Sequence, residues 1–477
     1  MKKQNMVLTI AVKEVVAAFR SRVATLLAFI TWILLGVAVY TGMQQEREAA
    51  GKKSRAASLF RHEWEEQEAN PHSAAHFGTY LFKPHTFLSI YDHGLNRFLG
   101  ETYRVEAHVQ HEVNHSEAET AGSQLRFGEL SAAMVFQLLV PLLVLLLSFN
   151  AITRERESNT LRLLLIQGVK PAALIRGKIW GIYFIVLLVV LPAFLLMGIP
   201  VIVQDHGQDA LLRYGLFTVA YLVYFFLFSG IGVLVSAWSR HSNAALIGSL
   251  GVWFLLAVLV PRAAVRMIDE NNRLPSRFEL NRRIAQGYSK GMGEDGTSIE
   301  RNRKLLDSTL KRYKVDSVQQ LPVNFDGLAM QNGEDYNTKV YEHYAGEVER
   351  TVRQQQESLG WVSFFDPFIA VQQVSMGVAG TDYHHHLSFH RQAKTYRDEF
   401  IRILNMDLAN SGSAYLSYGY KAGPEFFKKM KDFRYNPQPA GLAVGQHRWS
   451  WLALAAWCLL VYILVNISAK RLTNIYP

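Results

Sequence analysis

The residues whose types and spacing could do chemistry are mostly histidines. His111-Glu112-Val113-Asn114-His115 matches the pattern H-E-x-x-H. On a helix that spacing puts two imidazoles on one face, within reach of one zinc ion, with the glutamate as general base. Here Tyr103, Val105, Ala107, Val109, His111 and Val113 alternate with mostly polar residues, which predicts a strand. At about 3.3 Å per residue the two imidazoles would stand roughly 13 Å apart, too far for one ion. A membrane-anchored zinc protease using His111, Glu112 and His115 is therefore a minor alternative. His72 with His76, and His384-His385-His386 with His390, are further groups of ligand type. The plain reading is a set of surface and hydrogen-bonding histidines, so no catalytic residue, metal ligand or bound cofactor is assigned.

Other chemistries lack their residues. The sequence contains no G-x-S-x-G nucleophile turn, and the lone Cys458 lies in an apolar stretch, a poor setting for a nucleophile. It contains no G-x-x-x-x-G-K-[ST] either. Gly177-Lys178 lacks both the upstream glycine and the following hydroxyl. Without backbone amides to cradle phosphates, the chain is not expected to hydrolyse ATP itself.

The elements that carry these residues are set by hydropathy. The 477 residues are 49% hydrophobic and 19% charged, an average that looks soluble but hides strong bunching. A hydrocarbon core of about 30 Å needs roughly 20 apolar residues in a helix. Six stretches without Asp, Glu, Lys or Arg meet that length: 23–43, 130–153, 179–204, 214–239, 242–261 and 449–469. The expected fold is an α-helical polytopic membrane protein with six transmembrane helices. The first stretch has a long charged leader and no A-x-A site, so it reads as an uncleaved helix rather than a signal peptide. Spans without ionisable groups argue against an ion-coupled carrier, which must bind charge at membrane depth.

Charge orients the spans. With the N-terminus inside, segments 1–22, 154–178, 240–241 and 470–477 carry fourteen Lys and Arg residues, whereas the short outside segment 205–213 carries only Arg213. That asymmetry obeys the positive-inside rule and puts both termini on the cytoplasmic side. The net charge of +10 is then a matter of topology, and no nucleic-acid partner is expected. Two long segments, 44–129 and 262–448, fall outside. The first reads as a small mixed α/β domain, with turns at Pro71, Pro84 and Asp92-His93-Gly94. The second reads as larger and mainly helical. Thr297-Ser298-Ile299-Glu300 has the form of a capping box. Tyr336, Val340, Tyr344, Val348 and Val352, and Phe389, Ala393, Tyr396, Phe400 and Ile403, form core-facing stripes. Residues 6–19 are apolar around a narrow stripe of Thr9, Lys13 and Arg20, as in a helix lying in the bilayer interface.

The inner segment 154–178 is the most informative. Thr153-Arg154-Glu155-Arg156-Glu157-Ser158-Asn159-Thr160-Leu161 leads into a short apolar run ending at Gly168, followed by Lys170-Pro171 and Gly177-Lys178. A short amphipathic helix there would offer a partner both charge and apolar area. This segment resembles the loop between the second and third helices of ABC-2 type permeases. More narrowly, the chain resembles the multi-copper-enzyme-maturation-type branch with two large extracytoplasmic insertions. That likeness rests on Asn70-Pro71-His72-Ser73-Ala74-Ala75-His76, Asp92-His93-Gly94 with Leu99-Gly100, and Leu321-Pro322-Val323-Asn324-Phe325. It rests also on Ser375-Met376, Gly380-Thr381-Asp382 and Tyr396-Arg397.

The resemblance implies the membrane half of an ABC exporter. Two permease subunits, identical or homologous, would pair with two separate ATPase subunits that hold the ATP and magnesium. It implies that the inner loop carries a coupling helix, with Glu155, Arg156, Glu157, Thr160 and Leu161 engaging the ATPase. The outer insertions could receive substrate, shape an exit or dock a periplasmic partner. An ATPase-linked scaffold for periplasmic protein maturation shares all these features and is the alternative reading.

Overall fold

In a computed structural model the protein is described at residues 6–114, 130–203, 207–412 and 418–475. Among these, six helices are long and apolar enough to cross a membrane. The chain starts with α1 (Met6–Arg20), turns at Arg22 with φ 60°, and enters α2 (Val23–Glu66). At 1.5 Å per residue α2 is about 66 Å long, roughly twice a hydrocarbon core. Nothing stops it at residue 43: the following residues are rich in Glu, Lys, Arg and Ala, all good helix formers. The first span therefore continues as a stalk into the first insertion.

After the stalk come α3 (Pro71–Phe77), β1 (Thr79–Phe82) and β2 (Thr102–Val105). The strands pair antiparallel, Thr79 against Val105 and Phe82 against Thr102. The strand expected through Val113 thus ends at Val105. At His108 the backbone turns left-handed, with φ 64°. Its N–H donates to the Glu334 carboxylate, and its carbonyl accepts from Asn337 Nδ2 at 2.7 Å. Side chains from the second insertion thus replace the strand ladder there.

The second span contains α4 (Val140–Ser148), preceded by a π-helical turn at Val135–Leu139. Pro141 has no amide to offer the carbonyl of Gln137 four residues earlier, and that carbonyl accepts from Tyr224 Oη at 3.0 Å instead. The loop end holds α5 (Thr153–Glu157) and α6 (Thr160–Ile166). Two long helices follow, α7 (Pro171–Val203) and α8 (Gly207–Trp238). Then α9 (Ser242–Phe254) runs through a second π-helical turn, again just ahead of a proline, into α10 (Val260–Asn271).

The second insertion contains α11 (Arg277–Lys290), α12 (Ser298–Tyr313), α13 (Phe325–Val362), α14 (Pro367–Ala379) and α15 (Tyr383–Ala409), before α16 (Arg448–Ile475) returns through the bundle. The capping box at Thr297 forms, with reciprocal bonds between Thr297 and Glu300.

Two large cores result. One joins the spanning helices. The other joins Trp64, Leu81, Tyr103 and Val105 of the first insertion to Phe389, Phe400 and Phe427 of the second. The insertions are thus one body rather than two separate domains. A two-stranded hairpin cannot bury its own apolar face, so it borrows α15. The helix α14 belongs to the membrane core although it comes from an insertion. Twelve of its thirteen residues are buried, and it packs on α8 and α16. At about 20 Å it is too short to span.

Candidate functional site

At the loop end, α5 and α6 meet at Asn159, whose φ of 60° is a left-handed conformation that asparagine tolerates. Thr160 Oγ1 donates to the Glu155 carbonyl at 3.2 Å and to the Glu155 carboxylate, which closes the corner. Glu155 then faces inward. Lys178 of α7 places its Nζ 3.0 Å from Glu155 Oε1 and 2.7 Å from Glu14 of α1. Lys13 approaches the same carboxylate at 3.6 Å.

The neighbouring residues tie the corner to other helix ends. Arg156 donates to the carbonyls of Ala237, at 3.1 Å, and Ser239, where α8 ends and its last carbonyls lack intrahelical partners. Glu157 accepts from Ser242 N at 2.6 Å and Ser242 Oγ at 2.7 Å, so a carboxylate sits on the N-terminus of α9. Ser236 Oγ accepts from the amides of Ile152 and Thr153 at 3.0 and 3.2 Å. Leu161 is fully buried. All five residues singled out in the sequence are therefore brought together, and they grip α7, α8, α9 and, through Lys178, α1.

The outward face of the corner belongs to other residues. Arg162, Leu163, Ile166 and Gln167 are exposed, Leu163 by 58% and Ile166 by 73%. Sequence reasoning missed these, and it missed Glu14. A signal existed in Gly177-x-x-x-Gly181 on α7, a small-xxx-small spacing that admits a second helix closely. A Cβ on Gly177 would lie 2.7 Å from Ile10 Cβ, and one on Gly181 3.0 Å from the Ala11 carbonyl. α1 lies in that groove and leaves Leu8, Val12, Val16 and Phe19 exposed.

At the opposite end, the sequence predicts Arg213 in a short connecting segment. It instead lies inside α8 and is buried. Its guanidinium holds Asp209 at 2.7 Å, the carbonyl of Val378 at the end of α14 at 2.9 Å, and His385 Nε2 at 3.4 Å. Asp382 sits between His385 Nδ1, at 2.5 Å, and His447 Nε2, at 2.6 Å. Burial alone would raise this carboxyl, but the two imidazoles outweigh it and hold it well below the usual carboxylate range. A second buried chain runs from Gln137 Nε2 to Tyr221 Oη at 2.8 Å, on to Ser375 Oγ of α14 at 2.8 Å, and to Asp92. Burial pushes Asp92 up to about 6, against the opposing hydrogen bonds from Ser375 and Gly94. Nearby Lys83, buried on Asn96 at 2.7 Å, is brought down to about 8 by burial.

The histidines divide. His111 Nε2 is 2.5 Å from Glu106, and Glu112 faces Arg277 at 3.3 Å; His115 lies outside the described residues. Nothing described here assembles a zinc-protease site. His384, His385, His386 and His390 do not converge. His385 serves Asp382, His384 lies edge-on to His447, and His390 donates to the His111 carbonyl. His72 and His76 do meet, and His108 joins them.

The described residues form a helical multi-pass bundle with a braced corner at one end and the buried helix α14 toward the other. Residues 94–272 match the family described as ABC-2 family transporter protein, and residues 279–436 match a domain of unknown function, DUF3526. Residues 94–272 therefore carry an ABC-2 family transporter permease domain, which takes in the corner and α7, α8 and α9 but not α1. It is similar to the probable ABC transporter permease protein NosY of Stutzerimonas stutzeri, 28% identical over 147 residues. That match covers 29% of this chain and 53% of the relative, so the chain spans about half the length of the curated protein it resembles.

Proposed function

We propose that this chain is the permease subunit of an ATP-driven exporter in a bacterial inner membrane, moved by a separate ATPase that docks on the α5–α6 corner. One observation carries this reading: a corner with an exposed outer face is bonded to the ends of α8 and α9 and, through Lys178 and Glu14, to α7 and α1. An ATPase pair closing on ATP and magnesium would press the outward face, Arg162, Leu163, Ile166 and Gln167. Glu155, Arg156, Glu157, Thr160 and Leu161 would act as the lever behind it. Through Lys178 and Glu14 the push reaches α7 and α1; through Arg156 and Glu157 it reaches α8 and α9. Rigid-body displacement of these helices is the hinge-or-shear type of change that opens one side and closes the other.

In this reading both termini and the corner are cytoplasmic, and the fused insertions face the periplasm. The exposed apolar face of α1 lies in the bilayer interface. The thinly covered faces of α2 and α9 meet lipid and a second permease subunit, identical or homologous. The chain itself binds no nucleotide.

The test is purification of the tagged chain from its native host in mild detergent. An ATPase subunit should copurify, hydrolysis should track that subunit, and the chain alone should hydrolyse nothing. The Glu155→Lys, Glu157→Lys double variant should separate hydrolysis from transport in proteoliposomes. Nucleotide hydrolysis by the chain alone, or undiminished transport by the variant, would overturn the proposal.

A further inference from the structure

We propose that His72, His76 and His108 form a binding site for one divalent transition-metal ion of the imidazole-preferring class, copper(II) or zinc(II). The site is built from distant parts of the chain. His72 and His76 stand four residues apart on α3, hence on one face. That helix is capped by Asn70, which accepts from the amides of His72 and Ser73. The hairpin then carries His108 back to the same spot. One ligand nitrogen from each ring lies within 4.8 Å of the others, and the Nε2 atoms of His72 and His76 are 3.2 Å apart. Nitrogens at about 2.0–2.1 Å from a tetrahedral ion stand about 3.3 Å from each other, so a modest ring rotation of His108 completes the set.

The surroundings orient the rings as metal ligands require. His108 Nδ1 is 2.9 Å from Glu334 Oε1, so a carboxylate fixes one ring nitrogen and leaves Nε2 free to ligate. Glu334 is itself held by the buried Arg397. Among the described residues His72 Nδ1 and Asn405 Oδ1 are both buried without a hydrogen-bond partner, although Asn405 is close enough to act on that ring. Metal on His72 Nε2 would put the proton on Nδ1 and give Asn405 its donor.

The backbone supplies an independent argument. A left-handed histidine is strained, and strain kept by over-determining contacts marks functional positions. At His108 the clamp is double, Glu334 on the amide and Asn337 on the carbonyl. Yet the side chain so placed is 42% exposed and fills no core. The clamp aims the ring at the two α3 histidines. Three imidazoles with no thiolate nearby select borderline ions, copper(II) above zinc(II) in affinity. They leave a fourth position open, as in sites that exchange a ligand rather than staple a fold.

The experiment uses the full chain in detergent, purified through a tag without histidine and stripped with chelator. After incubation with copper(II) or zinc(II) and dialysis, elemental analysis should find about one ion per chain. The copper form should show nitrogen hyperfine splitting from imidazole ligands. His76→Ala and His108→Ala should each weaken binding at least tenfold, while the exposed His62→Ala should not. Thermal melting of each metal-free variant verifies its fold, and exposed His76 is the position that folding depends on least. Absence of retained metal in the wild type, or equal retention by wild type and His76→Ala, would overturn the proposal.

Discussion

Lys178 of α7 reaches Glu155 of the corner at 3.0 Å and holds Glu14 of α1 with the same ammonium at 2.7 Å. The lysine side chain is 5% exposed and that of Glu155 14%, so the pair sits largely out of water. This one cation joins the N-terminal helix, the third span and the corner. A displacement of any of the three must carry the others or break the pair.

Lys178→Met leaves Glu14 and Glu155 facing each other with only the exposed Lys13, 3.6 Å from Glu155, as counter-charge. Removing one partner of a buried pair costs about 3–5 kcal/mol. A clear fall in melting temperature is expected, together with loss of transport. Adding Glu155→Gln to Lys178→Met should restore part of the stability but not the transport. A double-mutant cycle of thermal melts, set beside proteoliposome transport, checks both. Strictly additive losses would show that the pair carries no coupling.

Ile166→Glu alters an exposed apolar side chain and should leave melting within about 0.5 kcal/mol of the wild type. On the proposed function it should nevertheless abolish copurification of the ATPase. Quantitative pull-down against Ile299→Glu, likewise highly exposed but on α12 of the second insertion, gives the comparison.

Asp92 titrates at about 6 in the fold, above its ordinary 3.8. The native state therefore binds more protons than the unfolded chain between roughly pH 4 and 6. Stability should be greatest below that window and decline as pH rises through it, by on the order of 2–3 kcal/mol. Glu101 acts in the opposite sense at lower pH. Burial alone would raise it, but His85 and Lys53 bring it to about 2, so its contribution is present above about pH 4.5 and lost toward pH 2. Asp92→Asn should flatten the slope between pH 4.5 and 6.5 in thermal melts. An unchanged slope would mean that Asp92 is not the responsible group.

Orientation is measurable without any transport assay. In a Cys458→Ser background, single cysteines at exposed Ser158 and exposed Ser308 report opposite ends of the bundle. An impermeant thiol reagent applied to intact spheroplasts should label Ser308→Cys and spare Ser158→Cys. The reverse pattern would invert the assignment of sides.

Much of the fold was legible because it follows from local physics. Six uncharged runs of about twenty residues must be helices if they enter a bilayer, since no other single segment satisfies its own backbone there. The capping box at Thr297 and the stripe around Phe389 and Phe400 depend on residues three or four apart, and both were readable. The corner was legible too, because charge followed by an apolar run is a local pattern. Its orientation was not. Glu155 and Leu161 turn inward while Leu163 and Ile166 face out, a choice made by Lys178, Ser236 and Ser242 from distant helices.

What the sequence by itself determined was therefore the set of helices and their order, fixed by hydropathy and capping within windows of a few residues. Tertiary structure alone decided three things. It fused the two insertions into one core, because a hairpin of four-residue strands has too little apolar area to stand alone. It buried Arg213 and Asp382 on opposite nitrogens of His385, because each supplies the hydrogen bonds and charge that make burial of its neighbours tolerable. And it carried His108 across more than thirty residues to His72 and His76, because the strand pairing and the Glu334–Asn337 clamp act between segments that no local pattern connects.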